Sequence, residues 1–374
     1  MKKVVFSGGG TGGHIYPALA ICEMLQERIA GGIESLYLGQ ADGMEAGIVG
    51  RLPDVRFGAI RAQGMPRQIS RRWLTFPFKN ILGFFDAFSH LRAFSPDLVV
   101  TTGGFVAFPV LAAARLLGIP YVIHEQNAAI GVTNRLFVGG ATRVLLTYGE
   151  AWNENSDRVI VTGNPVRKAF LTQSPSQAQA PSQSPTTSSS SRFEKKPGEF
   201  WILAVGGSRG AASLNRTCLE LSKGWLEKHP EARLLHITGE RDFASIKNQV
   251  PEGSRHIVLP YLHEMREAFD VADLMLSRAG ATILAEIGSQ GKPAILVPFP
   301  FATDNHQEKN ARILEKMGAA KVILDGDLNG TSLGTCLDTL LPIAVRQEMA
   351  DAMRKSRPSD VEERLFRAIS TLLS

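Results

Sequence analysis

Cysteine is scarce in this 374-residue chain: it holds three, Cys22, Cys218 and Cys336, far apart and in no C-x-x-C pair. That excludes a disulfide framework and a thiolate metal site, and a reducing cytosol is the expected compartment. Long apolar runs are missing too. Val4-Val5-Phe6 reaches the first glycines too soon to be a signal-peptide core. The most apolar later stretch, residues 105–123, is broken by Pro109, Arg115 and Pro120. A bilayer span needs ~20 uninterrupted apolar residues, so no transmembrane helix is expected. Charge of one sign is also in short supply, with a formal net charge of only +5. What excess there is concentrates locally, in Arg61, Arg67, Arg71, Arg72 and Lys79, followed by Arg92. Such a patch suits a nucleic acid or an anionic membrane surface.

What is present describes an ordinary globular protein, 44% hydrophobic and 21% charged, with length enough for two cores. Short β-branched runs alternate with helix-length segments. Strands are expected at 3–6, 35–38, 97–100, 121–124, 143–146 and 159–161, then at 200–205, 234–238, 256–259, 273–276, 294–297 and 321–324. Near-continuous apolar strands separated by helices make parallel sheets covered on both faces, so two series of six imply two doubly wound α/β domains. Between them, residues 172–191 contain only Thr, Gln, Ser, Pro and Ala. That composition cannot bury enough surface to fold and is expected to be a disordered insertion. Gly163-Asn164-Pro165 just before it is the expected hinge. The boundaries are drawn as 1–163, a hinge and insertion at 164–198, a second domain at 199–355, and a helix at 356–374 returning to the first.

Both halves open with a strand, glycines and then a helix. The first loop is Ser7-Gly8-Gly9-Gly10-Thr11-Gly12-Gly13-His14 and the second Gly206-Gly207-Ser208-Arg209-Gly210. Backbone N–H groups and a helix N-terminus in that setting hold an anion, so two phosphate-bearing ligands are expected. Gly8, Gly10 and Gly13 satisfy G-x-G-x-x-G, but a dinucleotide site also needs an acidic residue ending the second strand. The chain has Leu38-Gly39-Gln40 there, so NAD and FAD are set aside.

His14 at the mouth of the first helix is either a capping histidine or a proton-transfer group. His124-Glu125-Gln126-Asn127 ends a strand where doubly wound sheets place ligands, and Glu125 is the second candidate base. Arg278 could neutralise a diphosphate beside the helix start at Ala281, and Glu286 could accept two ribose hydroxyls; both could equally be surface charges. Asp325-Gly326-Asp327 has the D-x-D form of a metal site, yet its Gly- and Asp-rich setting favours a turn. The segment 73–85 carries Trp73, Phe76, Phe78 and Phe84 near basic residues, which fits either core packing or a membrane interface.

Taken together, these motifs resemble the MurG family of N-acetylglucosamine transferases. The resemblance rests on Gly9 through His14, Gly103-Gly104-Phe105, His124 through Asn127 and Gly163 through Arg167. It continues in Gly206 through Gly210, Arg278 through Ala281, Glu286, Asp304 through Gln307 and Asn310. It spans nearly the whole chain apart from the insertion, which is unusual for the family, as is Arg209. It implies a GT-B fold, two Rossmann-like domains facing across a cleft, with no cofactor and no metal. It implies a donor, UDP-N-acetylglucosamine, held by Ser208, Leu262, Ala281, Thr282, Ile283, Leu284, Ala285, Glu286 and Gln307. Thr11, Gly12, Gly13, Asn127 and Arg167 would complete those contacts. The acceptor would be lipid I, undecaprenyl-pyrophosphoryl-MurNAc-pentapeptide, facing Gly103, Gly104 and the 73–85 segment. The enzyme would then sit peripherally on the cytoplasmic face of the inner membrane, on an anionic surface, with other cell-wall synthesis proteins as partners and no nucleic acid. The rivals are a UDP-N-acetylglucosamine 2-epimerase, a glycolipid synthase and a non-catalytic nucleotide-sugar-binding regulator.

Overall fold

The computed structural model describes residues 1–66, 72–154, 156–171, 192–207, 210–262 and 264–373. Arg67, Arg71 and the insertion at 172–191 lie outside the described residues, as do Ser208, Arg209 and the side chain of Arg72. The chain divides into two compact units, Met1–Arg167 with Pro358–Ser374, and Lys168–Arg357. The first unit therefore runs four residues past Gly163, whose backbone packs against Val361.

In the first unit the order is β1 (Lys2–Gly8), α1 (Gly12–Arg28), β2 (Ile33–Gly39), α2 (Met44–Val49), β3 (Val55–Ala59) and α3 (Arg72–Phe94). Then come β4 (Leu98–Gly103), α4 (Ala107–Leu116), β5 (Tyr121–Glu125), α5 (Val132–Phe137), β6 (Arg143–Leu146) and β7 (Val159–Val161). The seven strands form one parallel sheet in the order β3-β2-β1-β4-β5-β6-β7. The sequence reading had six; the seventh, β3, is an edge strand exposed at Arg56 and Ala59. It is paired on one side only, and exposed Arg56 and Ala59 break the continuous apolar run that marks the interior strands.

The second unit runs β8 (Phe200–Val205), α6 (Ala212–Lys223), α7 (Trp225–Lys228), β9 (Ala232–Ile237), α8 (Glu240–Lys247) and β10 (His256–Leu259). It continues with α9 (Met265–Val271), β11 (Leu274–Ser277), α10 (Ala281–Gln290), β12 (Ala294–Leu296), α11 (His306–Lys316) and β13 (Ala320–Val322). The helices α12 (Gly330–Thr339) and α13 (Ile343–Ser356) follow, and α14 (Val361–Ser370) belongs to the first unit. The second sheet is parallel in the order β10-β9-β8-β11-β12-β13.

Burial explains the layering. Val5, Val99, Ile123 and Val144 face one side of the first sheet and pack with Ala87 and Leu91 of α3 and Val110 and Leu111 of α4. Val4, Phe6, Val100 and Leu145 face the other and meet Ile21 and Leu25 of α1 and Val361, Leu365 and Ile369 of α14. The alternation along each strand sends successive side chains to opposite faces, and both faces are apolar because both are covered. Among the described residues no helix is long and apolar enough to cross a membrane.

Gly83 marks the tightest packing in the first unit: a Cβ there would overlap the backbone carbonyl oxygen of Arg61. Backbone cannot rotate aside as a side chain can, so α3 must move. Gly83→Ala is expected to cost about 1–3 kcal/mol, read as a fall in the thermal midpoint by circular dichroism. An unchanged midpoint would mean that α3 seats more loosely than the structure has it.

Candidate active site

In a doubly wound sheet the loops diverge where the strand order reverses, and ligands bind outside the carboxyl ends of the strands at that point. In the first unit the reversal lies between β1 and β4. The loops leaving those two strands are Gly9–Thr11 and Gly104–Val106, and they carry the expected motifs. Gly103 and Gly104 have φ of +92° and +79°, a region that side chains rarely adopt. A Cβ on Gly104 would collide with Gly9 O and lie 3.1 Å from His14 Cδ2. The bare backbone here is a condition for the two loops to meet.

His14, in the first turn of α1, is held by its ring nitrogen Nδ1, which lies 2.9 Å from Thr102 O and 3.0 Å from Gln126 Oε1. The Thr102 hydroxyl in turn donates to His14 O at 2.7 Å. His14 is half-buried, and Thr11 before it is exposed. Arg167, at the end of the first unit, stacks over the Tyr16 ring at 5.1 Å, on the same helix as His14.

Glu125 is placed differently. Its Oε1 accepts from the backbone N–H and side-chain amide of Asn127 at 3.0 and 3.1 Å. Its Oε2 accepts from Gly131 N at 2.9 Å and Asn134 Nδ2 at 2.8 Å. A buried carboxylate taking four N–H donors braces the loop after β5, and its lone pairs are committed.

One residue of this rim escaped the sequence reading. Glu45, fully buried in α2, accepts from Gln40 N at 3.1 Å through Oε1, and its Oε2 meets no hydrogen-bond partner among the described residues. Cβ atoms on Gly9, Gly39 and Gly43 would each sit 2.5–2.7 Å from its side chain. The carboxylate therefore fills space beneath the first glycine loop. Gly39 and Gly43, both shortly before it in the chain, were its only signal in the sequence.

In the second unit the reversal lies between β8 and β11. The β8 loop carries Gly206 and Gly210, and the β11 loop carries Arg278, Ala279 and Gly280 into α10. Gly280 is the N-cap of α10. The aligned peptide dipoles place about half a positive charge at that end of the helix. Ala281, Leu284 and Glu286 are buried, while Thr282, Ile283 and Ala285 are half-buried. Leu262 is buried just after β10. Gln307, at the start of α11, uses Oε1 to accept from Ala279 N at 3.2 Å and Phe299 N at 3.0 Å. It follows Asp304 and Asn305, both at φ near +50°, a conformation that Asn and Asp tolerate better than most residues. Asn310 donates to Ala279 O at 3.1 Å, so two side chains of α11 fix the β11 loop.

Arg278 is buried rather than a surface charge. Its Nη1 reaches Val297 O and Pro298 O at 3.2 and 3.3 Å and pairs with Asp325 Oδ1 at 2.6 Å. Its Nη2 donates to Ser213 Oγ at 2.8 Å, and that hydroxyl donates to Asp325 at 2.6 Å. One guanidinium thus ties together the ends of β11 and β12, the turn after β13, and α6. Asp325, the first acid of the D-x-D, is committed to this network. Burial pushes the Asp325 carboxyl up, but hydrogen bonds from Ser213 and Arg278 outweigh it and hold the group below 3.8.

The described residues among those predicted thus lie in two rims, one per unit, with Trp73, Phe76, Phe78 and Phe84 separate on α3; Ser208 lies outside the described residues. Residues 4–146 match the glycosyltransferase family 28 N-terminal domain and residues 201–365 its C-terminal domain. Two parallel α/β units carrying those domains define a glycosyltransferase of the GT-B fold. A Halothermothrix orenii protein, named UDP-N-acetylglucosamine–N-acetylmuramyl-(pentapeptide) pyrophosphoryl-undecaprenol N-acetylglucosamine transferase, is 39% identical over 365 residues, 94% of each chain. A Symbiobacterium thermophilum protein of the same name is 41% identical over 356 residues, 94% of this chain and 90% of the other. The crystal structure of Acinetobacter baumannii MurG matches at TM-score 0.74 and 29% identity, covering 99% of this chain and 100% of that one. The chain belongs to the MurG family.

Two outcomes follow from the side-chain networks. Glu125→Gln replaces a carboxylate oxygen by an NH2 group that faces N–H donors. It is expected to cost about 1–3 kcal/mol and to speed hydrogen exchange at Gly131 N; unchanged exchange would mean the loop does not depend on the carboxylate. For Asp325, the folded carboxyl titrates below its unfolded value, so its contribution is present above about pH 3.8 and is lost as pH falls through the folded value. Asp325→Asn should therefore destabilise more at pH 7 than at pH 3 in denaturant melts, and a pH-independent penalty would contradict the ion pair.

Proposed function

We propose that the chain transfers N-acetylglucosamine from UDP-N-acetylglucosamine to the MurNAc 4-hydroxyl of lipid I, giving lipid II in peptidoglycan synthesis. The donor's uracil, ribose and diphosphate are assigned to the second unit, through Ser208, Leu262, Glu286, Gln307 and the start of α10 at Ala281 and Thr282. Thr11, Gly12, Gly13, Asn127 and Arg167 are the first unit's donor contacts. The acceptor hydroxyl attacks the anomeric carbon with inversion as the bond to UDP breaks. The observation that carries the base assignment is His14, anchored by Nδ1 at the reversal of the first sheet. It takes the hydroxyl proton, while Glu125 braces the adjoining loop. Leaving-group charge is met by the dipole of α10 and by N–H donors of the second glycine loop, each such preorganised donor being worth ~3 kcal/mol. Arg278, its charge met by Asp325, holds the β11 loop in place rather than adding net positive charge, and on this reading the chemistry needs no metal.

The membrane reading rests on α3. Leu74, Phe78, Ile81, Leu82 and Phe85 follow helical spacing along one exposed stripe, with Leu74 73% and Phe78 69% exposed, while Ala87 and Leu91 face the core. Lys79 is exposed in the same stretch, and Trp73 stands at its start. Phe76 and Phe84 are half-buried, Phe84 against the core. Arg61 is paired with Asp86 at 2.5 Å and drops out of the basic patch. Each Leu or Phe inserted fully is worth about 1.5–3 kcal/mol, which suits peripheral attachment to the cytoplasmic leaflet.

The test of the reaction is transfer of labelled N-acetylglucosamine from UDP to a short-chain lipid I analogue. Transfer is expected to survive EDTA and to fall by about 10²–10⁴-fold in His14→Ala, with UDP still bound. No transfer by a folded protein that binds UDP-N-acetylglucosamine would sink the acceptor assignment and favour the epimerase or the regulator. For the membrane, Leu74→Glu with Phe78→Glu should release the protein from anionic vesicles and leave turnover of a soluble analogue intact. Retained vesicle binding would remove α3 as the anchor.

A further inference from the structure

Behind His14 lies a series of hydrogen bonds whose direction can be read from its far end. Gly163 O can only accept, so His124 Nε2, 3.0 Å away, carries a proton. His124 is buried on β5, and burial lowers its pKa to about 4. At neutral pH it therefore holds a single proton, and its Nδ1 is a lone pair. Gln126 Nε2 lies 2.9 Å from that Nδ1 and 2.7 Å from His124 O. Both are acceptors, so the amide turns both of its N–H bonds toward His124. Its Oε1 is left facing His14 Nδ1, which also faces Thr102 O. Two acceptors on one ring nitrogen require a proton there, and neutral imidazole has only one to give.

We infer that Gln126 and His124 are positioning residues that hold His14 in its Nδ1–H tautomer, leaving the Nε2 lone pair to take the acceptor's proton. The second half of this statement rests on His14 being the base. Neutral histidine in water favours the opposite tautomer, so the protein has to impose this one. Inverting any member of the series sets two lone pairs or two protons against each other among buried groups, where an unpaired polar atom is costly. Gly104 contributes by placing no side chain of its own against the Cδ2 edge of the ring, next to Nε2.

The test is nitrogen NMR of the protein labelled at histidine, with steady-state kinetics alongside. In the unaltered protein the His14 proton is expected on Nδ1. Gln126→Leu removes one of two acceptors at similar volume. It should give a mixture of tautomers and a fall in kcat of about tenfold, the worth of roughly one hydrogen bond, with the KM for UDP-N-acetylglucosamine within about twofold. A histidine wholly in the wrong tautomer costs about 10⁴-fold in serine hydrolases, and the remaining Thr102 carbonyl keeps the loss smaller here. His124→Phe, which leaves the Gln126 amide held by His124 O alone, is the second variant and should shift tautomer and kcat in the same direction. A proton on Nε2 in the unaltered protein, or an unchanged tautomer in both variants, overturns the inference whatever the activity. A shifted tautomer with unchanged kcat instead removes His14 as the base.

Discussion

A parallel sheet whose strand order reverses cannot keep its loops together at the point of reversal. The helices leaving the two adjacent strands go to opposite faces, and a crevice opens where their N-termini and glycine-rich loops diverge. Both sheets of this chain have one such point, β1 beside β4 and β8 beside β11. Everything with chemistry in it is arranged around those two places. The bare loops, the buried braces and the imidazole all serve to keep backbone N–H groups and a few side chains in register at an edge that packing alone would leave loose.

The two rims are stiffened in opposite ways. Around the first, glycines let backbones approach and carboxylates fill the space behind: Glu45 lies under Gly9, and Glu125 gathers four N–H donors. Around the second, a cation does the gathering, with Arg278 drawing in carbonyl oxygens, a hydroxyl and Asp325. Buried charges are tolerated where every lone pair or proton has a partner, and each of these last two is close to that limit. The cost of taking these charges from water is offset by order at the place where a ligand needs it.

Much of this was legible in the sequence, and the exceptions have physical reasons. The interior strands were readable because both of their faces are covered and their apolar runs are unbroken. β3 was not, since exposed Arg56 and Ala59 at the edge of the sheet interrupt the run. The glycine loops and the His124–Asn127 cluster announced themselves by composition. Which carboxylate was free and which was tied did not, because Glu125 depends on Gly131 and Asn134 in a later loop. Likewise Asp325 read as a turn, and its partner Arg278 stands 47 residues earlier. Spacing along the chain carries no trace of a contact made across three strands.

The last helix of the first unit is made only after the whole of the second. Val361, Leu365 and Ile369 of α14 cover the same face of the sheet as α1. The intervening unit runs from Lys168 to Arg357. At ribosomal speeds of about 5–20 residues per second, the part of that face that α14 covers waits for roughly 10–40 s. Nascent chains of this protein thus carry a partly covered apolar sheet face, with α1 available and α14 not yet made, while the second unit is synthesised. Covering it is a matter for chaperones or for an early, provisional packing, and only the finished chain can close it.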